Sequence, residues 1–98
     1  PVPEDFNQAV GGDVPVLLLS GELDPVTPPE YAEQVAVHFS DATHLVAPGQ
    51  AHIVTNRGCM GDIVSDFIIN GSAAEIETEC ISNLQASPFF LSLTGPRP

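Results

Sequence analysis

Val14-Pro15-Val16-Leu17-Leu18-Leu19-Ser20-Gly21-Glu22-Leu23-Asp24-Pro25-Val26-Thr27-Pro28-Pro29-Glu30 is the stretch that decides how this 98-residue chain is read. The run from Val14 to Ser20 is apolar in all but Pro15 and its final serine. A strand without polar alternation is one covered on both faces, as in a parallel sheet. Proline at its entry is tolerated. The chain leaves this strand through Gly21 and reaches an acid, Asp24. Thr27-Pro28-Pro29-Glu30 then predicts a helix start, with Thr27 as N-cap, proline at the first helical position and Glu30 closing a capping box. Tyr31, Ala32, Val35, Ala36 and Phe39 recur at helical spacing, giving an amphipathic helix to about His38.

Working outward, Thr43 to Ala47 is a second short strand, broken by Pro48-Gly49 just before His52. A second helix is expected from about Cys59 to Asn70, with Met60, Ile63, Val64, Phe67 and Ile68 on one face and Gly71 at its C′ position. Residues 1–13 read as a leader loop. After Ser72 the pattern weakens: Ala73 to Leu84 suits one more helix, and Ser87 to Leu93 a short strand or an apolar tail laid over a core. Residues 14–71 thus form strand–helix–strand–helix, which implies a right-handed parallel crossover. The expected fold class is α/β, with residues 1–98 a single segment ending in a helix or tail over 72–98. Two strands make a poor sheet, so neighbours must come from another chain or another part of a parent protein. The isolated segment is therefore incomplete, and its open edge invites strand swapping into a homo-oligomer.

Thirteen acids face two bases, Arg57 and Arg97, and the formal charge is −11. Without basic residues the counterion-release term that drives nucleic-acid binding is missing, and anionic membrane surfaces are disfavoured for the same reason. Such a field favours cationic ligands, including the free ammonium of a peptide, or simply confers solubility. No run approaches the roughly 18 apolar residues that span a bilayer. The amino-terminal Pro1-Val2-Pro3-Glu4-Asp5 has no initiator Met and no basic leader, so the chain reads as internal or processed. Cys59 and Cys80 have no CxxC spacing and too few companions for a zinc site, which leaves pairing with each other or two buried thiols. A bridge would close a loop of about 20 residues, worth roughly 3 kcal/mol.

Asp24 and His52 each follow the carboxyl end of a strand, where ligand sites lie in parallel sheets. A carboxylate and an imidazole meeting there can serve as orienter and base for a nucleophile. Gly21 and Gly49 allow tight loops at both places. Alternatively, Asp24 before proline only shapes the strand–helix turn. No Gly-x-Ser-x-Gly elbow occurs in these residues. His38 reads as helix-end surface and His44 as a strand residue. Glu22 either holds a loop, lines the site or is solvated. With no HExxH or equivalent spacing, neither metal nor cofactor is expected.

Leu19-Ser20-Gly21-Glu22-Leu23-Asp24-Pro25-Val26-Thr27-Pro28-Pro29, then His44 to His52, then Arg57-Gly58-Cys59, resemble the carboxyl-terminal region of α/β-hydrolases related to tripeptidyl aminopeptidases and proline iminopeptidases. The resemblance covers roughly residues 14 to 80. It implies a partial α/β-hydrolase fold, with Asp24 the triad acid, His52 the general base and Cys59–Cys80 a disulfide. It also implies an exported serine peptidase acting on free amino termini, whose serine, oxyanion hole and cap precede this region. On that reading the partners are the remainder of the hydrolase and a peptide or small ester. The chain alone is inactive, and the compartment is secreted, periplasmic or cell-surface. Two other readings are an esterase-type hydrolase and a non-catalytic acidic module that kept the fold for binding or assembly.

Overall fold

The computed structural model describes residues 1–90 and 92–94. Four elements follow in the order β1 (Val16–Gly21), α1 (Pro29–Ala36), β2 (Ala42–Ala47) and α2 (Met60–Asn70), with a short 3₁₀ helix at Glu79–Asn83. This is a small α/β arrangement, consistent with part of an α/β-hydrolase fold. Strands β1 and β2 pair in parallel, from Val16 opposite Ala42 to Gly21 opposite Ala47. Among the described residues the sheet has these two strands.

The apolar run of β1 divides between two faces, as strand geometry requires. Leu17 and Leu19, with Leu45 of β2, pack against a core of Ala47, Val54, Met60, Ile63 and Ile81. Leu18 and Ser20 alternate to the other face. Helix α1 lies along both strands and contributes nothing to that core, so it and the core cover opposite faces. Burial is nonetheless shallow, for Val16 to Leu19 are only half-buried. A strand with a partner along one edge keeps part of its side chains in water.

The amino end of α1 differs from the expected capping box. The helix begins at Pro29, Pro28 is its N-cap, and no side chain caps it. Thr27 is one residue too early, and its hydroxyl goes to Asp24 instead. At the other end α1 stops at Ala36 rather than His38, because the chain tightens into three-residue bonds there. His38 N–H donates to Val35 and Phe39 N–H to Ala36. The His38 carbonyl turns outward to accept Gly12 N–H, and Gly12 bridges to Phe39.

Helix α2 ends as expected on Gly71 in the left-handed conformation. Its apolar face, however, is covered only over the first half. Met60 and Ile63 are buried, whereas Ile68 is 72% exposed where the helix projects beyond the core. The helix expected over Ala73 to Leu84 reduces to Glu79–Asn83. Glu75 and Glu79 would stand one turn apart with like charge. Side chains also draw amides away from helical bonding: Ser72 Oγ accepts from Ala74 N–H, and a Glu77 carboxylate oxygen from Glu79 N–H. Residues 87–90 of the expected strand or covering tail form neither, and Phe89 is 87% exposed. Leu91 of that stretch lies outside the described residues.

Cys59 and Cys80 form a disulfide, with Cα atoms 6.4 Å apart. It joins the start of α2 to the 3₁₀ helix, so the alternative of two free thiols does not hold. Cross-linking residues 21 apart in sequence restricts the unfolded chain by about 3 kcal/mol. Replacing Cys80 with serine is therefore expected to lower unfolding free energy by about 3 kcal/mol in denaturant titrations. Wild-type protein in excess reductant should fall by a similar amount, and the variant should not respond to reductant at all.

Candidate active site

The parallel register brings the carboxyl ends of β1 and β2 side by side, and the candidate site grows from the two loops that leave them. On the first loop Asp24 N–H donates back to the Gly21 carbonyl, closing a turn. Pro25 fixes the next backbone angle. The Asp24 side chain then accepts from the following backbone: Oδ1 takes Val26 N–H at 2.8 Å and Thr27 N–H at 3.1 Å. Oδ2 accepts the Thr27 hydroxyl at 2.9 Å. Asp24 is thus a turn-shaping residue, as its position before proline suggested. It is also more than that, because Oδ2 lies 2.9 Å from His52 Nδ1.

On the second loop the chain turns sharply after β2. The Ala47 carbonyl accepts Glu22 N–H at 3.0 Å, and the Gln50 carbonyl accepts Leu23 N–H at 2.9 Å. The two loops are therefore stitched by their backbones before any side chain contributes. Gly21 makes this possible: a Cβ there would collide with the Ala51 carbonyl oxygen. Gly49 has φ 65° and sends its N–H to Glu22 Oε2 at 2.6 Å. A Cβ on Gly49 would sit 2.5 Å from the Ala86 nitrogen. Past the turn, Gln50 Nε2 donates to the Gln85 carbonyl at 2.8 Å. Ile53, directly after His52, holds φ 63°, a left-handed conformation that β-branched residues rarely adopt.

Asp24 is buried, while the His52 side chain is 44% exposed. Burial alone would raise the Asp24 pKa. The hydrogen bonds from His52, from the Thr27 and Val26 amides and from the Thr27 hydroxyl outweigh it and hold the carboxyl well below the usual carboxylate range. An ionised carboxylate only accepts hydrogen bonds, so the His52 proton facing it sits on Nδ1. Nε2, across the ring, has no hydrogen-bond partner among the described residues. A positioned imidazole with an open Nε2 can take a proton from a hydroxyl placed before it.

The other histidines stand apart from this pair. His44 Nε2 and Ser20 Oγ share a 2.8 Å hydrogen bond across the strands. His38 lines an apolar hollow beside α1, with Val10, Tyr31, Val35 and Phe39, that contains neither Asp24 nor His52. Among the described residues no group of three His, Cys, Asp or Glu is placed to hold a metal, and no helix is long and apolar enough to cross a membrane. Two contacts that shape the candidate site are hard to read from the linear chain: Thr27 on Asp24, and Glu22 on Gly49. The first has a signal, since Asp followed three residues later by Thr is a side-chain-closed turn. The second joins residues 27 apart in sequence; holding a loop is one reading of Glu22, but no local signal names Gly49 as its partner.

A family model described as TAP-like protein matches residues 1–80, and the chain belongs to that family, an α/β-hydrolase-related group. No curated protein and no solved structure matches it.

The depressed Asp24 pKa has a consequence for stability with a definite sign. Its contribution is fully present above the unfolded-state value of about 4 and is lost as pH falls through the lower folded value. Between about pH 2 and 4 the stability of wild-type protein should climb more steeply than that of Asp24→Asn. Just above about pH 4 the gap between them should level off in chemical denaturation curves.

Proposed function

We propose that this TAP-like chain is the carboxyl-terminal part of a serine hydrolase, an exported peptidase that releases single residues or short peptides from a free amino terminus. Asp24 is the orienting acid and His52 the general base, and the nucleophilic serine, oxyanion hole and substrate-selecting cap lie on residues outside this sequence. The observation that carries the reading is the Asp24–His52 pair itself. Its 2.9 Å hydrogen bond fixes the imidazole through Nδ1 and leaves Nε2 without a partner among the described residues.

The chemistry follows from that geometry. His52 Nε2 removes the serine proton as the hydroxyl oxygen bonds to the scissile carbonyl carbon, and the ring becomes an imidazolium. Asp24, kept ionised by its four hydrogen-bond donors, stabilises that cation without accepting its proton. The imidazolium then gives its proton to the leaving amine, and water repeats the sequence to release the acyl group. The acidity of the chain supports a substrate carrying a free ammonium, through the summed field of thirteen acids against two bases. The Cys59–Cys80 bridge is compatible with an extracellular protein and supports export.

In the protein expressed with its upstream coding sequence, Asp24→Asn should lower kcat on an unblocked chromogenic peptide by about 10⁴-fold, as when the same residue type orients the base in a serine protease. His52→Ala should lower it by about 10⁶-fold. A fluorophosphonate should label the wild-type protein but not the 98-residue chain by itself. Absence of labelling in the longer protein, or cleavage of esters with no action on free amino termini, would overturn the peptidase assignment.

A further inference from the structure

We infer that Glu22 is a positioning residue for the Asp24–His52 pair, its carboxylate clamping the turn that delivers the histidine to the turn that delivers the acid. The inference rests on the proposed hydrolase function and concerns how that site is held in register. Glu22 stands two residues before Asp24, and its hydrogen-bond partner Gly49 stands three residues before His52. The bond is short, 2.6 Å, and its acceptor is a carboxylate, which strengthens it relative to a neutral pair.

Besides the Asp24–His52 bond itself and the 3.4 Å contact of the Thr27 hydroxyl with His52 Nδ1, three further bonds cross between these turns: Glu22 N–H to Ala47, Leu23 N–H to Gln50, and Gly49 N–H to the Glu22 carboxylate. Of these three, only the last depends on a side chain. Gly49 can offer its N–H because it adopts φ 65°, and Ala86 packed against its Cα leaves no room for a larger residue. On its far side the histidine turn is tied through Gln50 to the Gln85 carbonyl. Glu22 therefore supplies the side-chain tie toward the acid, and Gln50 the tie toward the disulfide-anchored segment. His52 is substantially exposed, so packing does little to fix it and the turn before it must do so. Misplacement by about 1 Å is enough to cost about 100-fold in rate.

The test uses the protein expressed with its upstream coding sequence, as wild type, Glu22→Ala and Glu22→Gln. Two quantities are read: hydrogen exchange of the Gly49 amide, and kcat and KM on an unblocked chromogenic peptide. Glu22→Ala should speed Gly49 exchange by about tenfold or more and lower kcat by about 10- to 100-fold, with KM moving less than about twofold. Glu22→Gln keeps an acceptor oxygen and should recover most of both. Should Glu22→Ala not fold, Glu22→Asp, which withdraws the carboxylate by one methylene, takes its place with the same expectation. Unchanged exchange and kcat in the shortened variant overturn the clamp. So does a rise in KM shared equally by Ala and Gln, which marks a charge contact with substrate instead. If wild-type protein hydrolyses neither peptide nor ester while Gly49 protection still depends on Glu22, the hydrolase reading falls and the clamp stands.

Discussion

Everything that gives this chain a site depends on the parallel pairing of β1 with β2, and above all on its last rung, Gly21 opposite Ala47. In a parallel pair both strands end on the same side, so both exiting loops are forced into one place. The absence of a side chain at Gly21 then lets the second loop lie directly on the first, its Ala51 carbonyl occupying the space a Cβ would need. Residues 28 apart in sequence meet at 2.9 Å because the backbone leaves them nowhere else to go. Slipping β1 by one residue would turn Leu17 and Leu19 away from the core, and slipping β2 would do the same to Leu45, so the packing that stabilises the sheet also fixes the site.

Much of this was legible in the linear sequence, and the limits of legibility have physical causes. The continuous apolar run of β1 marks a strand covered on two faces, and Pro48-Gly49 marks the end of β2. Both signals are local, and both elements lie where they point. The capping box at Thr27 failed for an equally local reason read the wrong way. A threonine hydroxyl three residues after an aspartate can cap the helix ahead or close the turn behind, and here the buried Asp24 carboxylate is the stronger partner. The helix expected over 73–84 failed because periodicity counts apolar positions and is blind to crowded glutamates. For Glu22 the sequence offers a loop-holding carboxylate among other readings but not its partner, a backbone amide that only the folded chain brings near.

The exposed apolar surface has a single logic as well. The described residues leave the second edge of β1 unpaired, half-bury its leucines, and let α2 run past the core with Ile68 in water. Among the described residues the core has five buried hydrophobic residues, which is small, and small cores are marginal. The disulfide compensates where it can, joining α2 to the segment that returns toward the histidine turn. It cannot replace neighbouring strands for β1. This is the pattern expected of the edge of a larger sheet, and it agrees with the proposal that the nucleophile lies on another part of the same protein.

Stability and function meet at Asp24. A buried carboxylate is costly unless hydrogen-bonded, and this one is met by four donors, three of them from its own turn. Those three satisfy the carboxylate from within its own turn, which is why the turn alone is a sufficient structural explanation for an aspartate here. The fourth donor is different in kind. His52 is exposed, is brought in by a strained residue and a glycine-dependent turn, and gains little burial from its position. The left-handed Ile53 and the cramped Gly49 set an exposed imidazole against an already satisfied acid, and backbone strain at such a place supports the proposed general-base role. The acid's geometry is explained by its own turn, and the histidine's accords with the proposed role of general base.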